Sequence, residues 1–365
     1  MIPALTLLTW LYLFFLHGRF WHSTPELAPA TPATAPDVDI VVPARDEAET
    51  IAPVISSLLA QAYPGKFRVI LVDDNSTDGT ALRAGVNEKL TILSVRPKPA
   101  GWSGKLFALS QGVDAGAAPL ILFTYADITH DPRHLATLVA RLESPRVDAV
   151  SEMVRLNCVS GPERVLIPAF VYFFQMLYPF ARVNDPLAAT AAAAGGTILL
   201  RRDALARIGG LAAIKSALID DVSLAQKLKI QGPIFLGHSG LAPSIRPYPH
   251  VADIWAMITR TAFTQLNYSA PVLAGTLVGL ALVWLVAPYE VIFGHGWGFA
   301  CGLAASALAI WSYFPTLARY HQPRALALAL PFIALFYMAA TLASALHHWR
   351  GTGASWKRRA YGAAP

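Results

Sequence analysis

Apolar and polar positions alternate in three different ways along this chain. At its start, Ile2 to Leu16 is almost wholly apolar and is followed by His17, Arg19, Phe20 and Trp21. No basic residue precedes this run and no small-residue cleavage site follows it directly, so a retained membrane anchor over 1–22 is expected in preference to a cleaved signal peptide. Residues 23–36, rich in Pro, Ala and Thr, read as a linker. From Asp37 to about Gly240 the pattern changes to short β-branched runs separated by segments of helical period. The runs Val38 to Ala44, Arg68 to Asp74, Leu90 to Val95 and Leu120 to Asp127 predict strands; Glu47 to Ala60, Gly79 to Lys89 and Leu106 to Gly116 predict the helices between them. A further helix follows Asp131, with Pro132 in its first turn. This alternation predicts an α/β domain, taken as 37–268, whose mostly parallel sheet is covered on both faces.

The third pattern is continuous. Ala270 to Phe293, Trp297 to Leu317 and Ala325 to Leu346 each reach the ~20 apolar residues that cross a bilayer, so 269–348 is expected to be a transmembrane block. Asp37 to Ser269 holds nearly all the acids, whereas Ala270 to Leu346 has only Glu290. A transport path usually needs ionisable groups inside the membrane, so these helices read as an anchor and an apolar wall. Pro331 makes the third segment a candidate for a re-entrant or interfacial helix. The aromatic stretch Ile167 to Phe180 reads either as a helix in the membrane interface or as a buried core helix.

The apolar share of 55% agrees with a membrane protein, and the net charge of +6 is modest. A basic tail over 349–365 carries Lys357, Arg358 and Arg359, and no basic stripe interleaves with aromatics. This charge suits an anionic membrane surface and does not point to nucleic acid. Charge leaves the orientation open. Cys158 and Cys301 lie far apart, which suggests neither a disulfide framework nor a zinc site.

Ligands of such sheets bind outside the carboxyl ends of the strands, which singles out Asp73, Asp74 and Asp127. No G-x-G-x-x-G follows the first strand, which disfavours a dinucleotide-binding dehydrogenase. The block VVPARDEAETI followed by VDDNSTDGT resembles the opening of family 2 glycosyltransferases, whose nucleotide-sugar-binding fold is called GT-A. The resemblance implies that Pro43, Arg45 and Glu47 line the nucleotide pocket and that Asp73 or Asp74 contacts the base or ribose. Alone, NSTDGT would read as a strand-to-helix turn. GWSGK places Lys105 near the donor diphosphate by the same resemblance, where a lysine offsets phosphate charge. The family usually carries Asp-x-Asp at the end of the fourth strand to hold a divalent ion. Here the triplet is Tyr125, Ala126 and Asp127, which leaves Asp127 as the metal residue for magnesium or manganese and implies weaker ion binding.

Further on, AAAAGGTILLRRDALARIGG and LIDDVSLAQKLKIQG resemble the acceptor half of the fold. Asp221 matches the family's base, with Asp220 orienting or capping; either acid could also serve as a helix cap. Arg260, in RTAFTQL, corresponds to a diphosphate contact or to a basic residue at the membrane interface. WKRR lies near a W-K-G-R pattern, with Arg358 in the glycine position. The order of the blocks looks closest to bacterial hopanoid-associated glycosyltransferases. It implies an inverting sugar transfer from a UDP-sugar-like donor to a lipid acceptor, with the catalytic domain on the cytoplasmic side of the inner membrane. A polyprenyl-phosphate sugar transferase and a catalytically silent partner in a lipid-synthesis assembly are the rival readings.

Overall fold

The computed structural model describes residues 1–351 together with the backbone of 354–356 and 359–361. Lys357 and Arg358 of the predicted basic tail, and with them part of the WKRR stretch, lie outside the described residues. The chain forms two compact units, one of Met1–Ser23, Cys158–Ala181 and Pro247–Pro365, the other of Thr24–Asn157 and Arg182–Arg246.

The second unit is built on seven strands: β1 (Val38–Ala44), β2 (Phe67–Asp73), β3 (Leu90–Ser94), β4 (Leu120–Thr124), β5 (Ala149–Arg155), β6 (Thr197–Arg201) and β7 (Ile234–Pro243). They lie in the order β3-β2-β1-β4-β6-β5-β7. All neighbours are parallel except β6, which runs antiparallel to both β4 and β5. The near-continuous apolar runs of the first strands follow from cover on both faces. On one face Ile40, Val42, Val69, Leu71 and Leu122 pack with Val54, Ile55, Leu58, Leu135, Leu138 and Leu142 from two helices. On the other, helix Gly104–Asp114 approaches so closely that a Cβ at Gly112 would run into Val41. This is the α/β GT-A fold with a mostly parallel sheet.

Element bounds differ from the sequence pattern in two informative places. The first helix begins at Ile51 rather than Glu47, because residues 45–50 form a loop that reaches across to the segment after β2. The helix predicted over Gly79 to Lys89 is a single turn, Thr80–Arg83. The Pro- and Ala-rich stretch is docked along this unit: Leu27 is buried, its amide donates to the His238 carbonyl at 2.9 Å, and Tyr63 Oη donates to the Pro36 carbonyl at 2.6 Å.

In the other unit, three helices among the described residues are long and apolar enough to cross a membrane: Ala270–Phe293, Trp297–Arg319 and Arg324–Trp349. Pro331 does not interrupt the last of these. It stands in the first turn of helix Leu330–Trp349, where its missing N–H costs nothing, after a 3₁₀ segment Arg324–Ala329. Helix Gly161–Leu177, which holds most of the aromatic stretch, begins with a capping box between Ser160 and Glu163 and belongs to this same unit. Its Tyr172 is fully buried, hydrogen-bonded to Ser312 Oγ at 2.6 Å and packed on Tyr313.

Candidate active site

Parallel pairing with aligned register brings several strand ends together. Ala44 faces Asp73, Val41 faces Phe123, and the Asp74 amide donates to the Ala44 carbonyl at 2.8 Å. The segments after β1, β2 and β4 therefore leave the sheet at one edge. There the loop after β1 and the NSTDGT segment are sewn to each other. The amides of Asp46, Glu47 and Ala48 donate to Ser76 Oγ, Thr80 Oγ1 and Asp78 Oδ2 at 2.8–2.9 Å, and the Thr77 amide donates back to Asp46 Oδ1. Burial pushes Asp78 up, but the Thr80 hydroxyl and the surrounding amides outweigh it and hold the carboxyl below its ordinary value. Asp73 accepts from the Ser76 amide at 3.3 Å. Arg45 Nη1 donates to the Asp74 carbonyl at 2.6 Å, and its buried Nε has no partner among the described residues.

The triplet after β4 sends its two polar side chains into different clusters. Tyr125 Oη accepts from Lys105 Nζ at 2.8 Å, and the same ammonium lies 2.7 Å from Asp220 Oδ2 and 4.2 Å from the Tyr125 ring centroid. Asp221 stands beside them. Its Oδ2 accepts from the Gly195 amide and its Oδ1 from the Val222 amide, both at 2.8 Å. Gly195 is required here by space, since a Cβ would collide with the Tyr125 hydroxyl and sit 2.9 Å from Asp221 Oδ2. A small pocket is lined by Lys105, Tyr125, Gly195, Asp220 and Asp221, with Pro43 also on its wall.

Burial and the neighbouring Asp220 charge push Asp221 up to about 6, against Lys105 and the two amides. Burial opposes the charged form of Lys105, yet Asp220, Tyr125 and Asp221 together hold it above the ordinary lysine range. Burial likewise raises Tyr125. The pocket thus holds a protonated amine against a pair of carboxylates, one of which exchanges its proton near neutral pH.

Asp127 points into the second cluster. Arg246, three residues beyond β7, donates from Nε to Asp127 Oδ2 at 2.5 Å and from Nη2 to Glu47 Oε1 at 2.7 Å. Asp127 Oδ1 is buried and has no partner among the described residues. Among the described residues no group of three or more His, Cys, Asp or Glu side chains is arranged to hold a metal ion. What the cluster offers a hard cation is one free carboxylate oxygen. That fits an ion whose remaining ligands are water and substrate oxygens, as magnesium sites commonly are.

Of the residues singled out from the sequence, Pro43, Arg45, Glu47, Asp73, Asp74, Lys105, Asp127, Asp220 and Asp221 all belong to the α/β unit, in the contacts just described. Arg260 belongs to the unit of apolar helices, half-buried directly after helix Val251–Thr259. Two residues escaped the sequence reading. Arg246 sits in IRPYP after the last strand, and only its basic charge beside a strand end marks it; Gly195 lies in the AAAAGG block, where the doubled glycine was the signal.

Residues 39–209 match the family described as Glycosyl transferase family 2. Among curated proteins the chain is 28% identical over 121 residues to the dodecaprenyl-phosphate galacturonate synthase of Rhizobium johnstonii, covering 32% of this chain and 36% of that one. It is 36% identical over 91 residues to the 4,4'-diaponeurosporenoate glycosyltransferase of Staphylococcus aureus, covering 25% and 24%. The matches thus span well under half the length of these relatives. Among solved structures, the mannosyltransferase PcManGT from Pyrobaculum calidifontis, in complex with GDP-Man and Mn2+, is similar in fold over 98% of this chain and 100% of that one. The TM-score is 0.57 and the identity 22%.

Proposed function

We propose that this protein is a membrane-embedded inverting glycosyltransferase that moves a sugar from a UDP-sugar to an isoprenoid lipid at the cytoplasmic face of the inner membrane. The observation that carries the reading is Asp221, a carboxylate fixed by two backbone amides in a pocket it shares with Lys105, in a chain that also has three helices fit to cross a membrane. In this reading the catalytic domain is 37–268 and the helices of 269–348 anchor the chain in the membrane.

Asp221 accepts the proton of the acceptor hydroxyl as that oxygen attacks the anomeric carbon, while the bond from that carbon to the diphosphate oxygen breaks. The two amides hold the carboxylate in one orientation through this step. Asp220 keeps Lys105 in place, and Lys105 gives positive charge to the leaving diphosphate. Arg45, whose buried Nε has no partner among the described residues, and Glu47, Asp73, Asp74 and Pro43 form the nucleotide side of the site. Asp127 would hold a magnesium or manganese ion through Oδ1; when bound, such an ion supplies further positive charge to the diphosphate. The ligands of PcManGT, GDP-Man and Mn2+, support a nucleotide-sugar donor and a divalent ion.

Two lipid classes fit. The order of sequence blocks supports a polycyclic, hopanoid-type acceptor. The name of the Rhizobium relative supports a polyprenyl phosphate. Mass spectrometry of lipids from a deletion strain separates them: the reading requires loss of a glycosylated lipid, and the aglycone that accumulates gives the class. Purified protein that neither hydrolyses nor transfers any nucleotide sugar would instead make it a silent partner.

A further inference from the structure

The two carboxylates of the second cluster already have a cation. Arg246 is protonated at any physiological pH, and it binds Asp127 and Glu47 through separate nitrogens at 2.5 and 2.7 Å. All three side chains are largely out of water, with exposures of 9%, 7% and 29% for Asp127, Glu47 and Arg246. The attachment is firm, because the next residue back also grips Asp127: the Ile245 amide donates to the Asp127 carbonyl at 2.8 Å. The guanidinium therefore occupies one oxygen of the same carboxylate whose other oxygen, Oδ1, is buried and free.

Charge counting gives the consequence. Two carboxylates and one guanidinium leave a single negative charge to meet a dication, in a place where charges are weakly screened. In addition, Tyr125 stands where a further acid would have added to the attraction, and its hydroxyl is committed to Lys105. We propose that Arg246 makes the ion site dependent on the donor: it offsets the Asp127–Glu47 pair so that a divalent ion binds poorly to the free protein, and the nucleotide diphosphate supplies the missing negative charge. Metal and donor then load together. This inference rests on the reading of Asp127 as the ion's protein ligand.

The test uses Mn2+ alone and Mn2+ with UDP, followed by the loss of the free-ion electron paramagnetic resonance signal on the full chain in detergent. In Arg246→Gln the pair recovers its second negative charge, and Mn2+ without nucleotide should bind about tenfold more tightly than to the parent. The gain in Mn2+ affinity on adding UDP should be smaller in that variant than in the parent. Arg246→Lys, which keeps the charge, should stay near the parent. Glu47→Gln removes the other negative charge beside the ion and should weaken Mn2+ binding relative to the parent, measured with UDP present. Equal or weaker Mn2+ binding by Arg246→Gln, or unchanged binding by Glu47→Gln, overturns the proposal and makes Arg246 an orienting group for Asp127. If Asp127→Asn binds Mn2+ as the parent does, the ion lies elsewhere, and the metal reading itself fails whatever Arg246 does.

Discussion

A single carboxylate, Asp221, ties the pocket's electrostatics to its chemistry, and its neighbours set the pH at which it can work. In the proposed transfer Asp221 is the base and must be ionised to take a proton, and burial with the Asp220 charge pushes it up to about 6. Transfer should therefore rise as the pH is raised through about 6 and level off above it, measured as kcat/KM with labelled donor. Lys105 pulls in the opposite direction, so Lys105→Met should move the acid limb to higher pH in addition to weakening donor use. A limb that stays put would separate Lys105 from Asp221. Asp221→Asn should leave donor binding and membrane insertion intact and lower transfer by roughly 10²–10⁴-fold; full activity in that variant would remove it as the base. The acids of this site were legible because a strand end or a helix start followed by Asp is a local pattern. Arg246 was not, because the partners that give it meaning, Glu47 and Asp127, lie 199 and 119 residues away in sequence. Tyr125 was legible only as a missing acid. Its contact with Lys105 needed the helix that begins at Gly104 to be placed beside β4.

At the scale of elements, β1 to β4 could be read from their β-branched runs, whereas the antiparallel insertion of β6 between β4 and β5 could not. Pairing direction is decided by where the intervening chain goes, and between β5 and β6 that chain includes helix Gly161–Leu177 of the other unit. Below the pocket the sheet carries a buried polar chain that no sequence motif announced. Thr124 Oγ1 bonds to the Gly196 carbonyl and to His130 Nε2; His130 Nδ1 lies 2.8 Å from His134 Nδ1, and His134 Nε2 lies 2.6 Å from Glu152 Oε2. All four side chains are buried, and burial with the adjacent His134 holds His130 well below the ordinary histidine range. The chain joins β4, β5 and helix His134–Glu143 to the backbone beside Gly195. Removing Glu152 leaves His134 Nε2 without its partner in a dry interior, so Glu152→Ala should cost about 1–3 kcal/mol of stability. Replacing both His134 and Glu152 by Leu should cost less than the sum of the two single changes, since neither His134 Nε2 nor the Glu152 carboxylate is then left facing an apolar replacement. Urea unfolding of the four proteins in detergent checks this, and strictly additive losses would show that the pair is not coupled.

At the scale of the whole molecule, the N-terminal segment and the C-terminal helices contribute differently to the unit of apolar helices. Helix Ile2–Leu11 with its continuation to Leu16 rises about 22 Å, short of a ~30 Å hydrocarbon core, whereas Trp297–Arg319 and Leu330–Trp349 reach it. The N-terminal segment is nevertheless more than a tether. Trp10 is fully buried, packs edge-on against Trp284 at 5.1 Å and donates from Nε1 to the Val283 carbonyl at 2.8 Å, while Thr6 Oγ1 reaches the Leu282 carbonyl at 3.3 Å. Attachment and stability should therefore separate. A protein lacking residues 1–20 should remain in the membrane pellet after carbonate extraction, because the three C-terminal helices suffice to hold it. The same protein should unfold at a lower temperature, because Trp284 loses the ring that covers it. Trp10→Ala isolates that effect within the full chain and should cost about 3–5 kcal/mol, the range for emptying a large aromatic site. Release of the truncated protein into the soluble fraction would show that 270–349 does not anchor the chain. An unchanged melting temperature for Trp10→Ala would show that the N-terminal helix is held by something other than this ring, and the burial of Trp10 against Trp284 would then carry no stability.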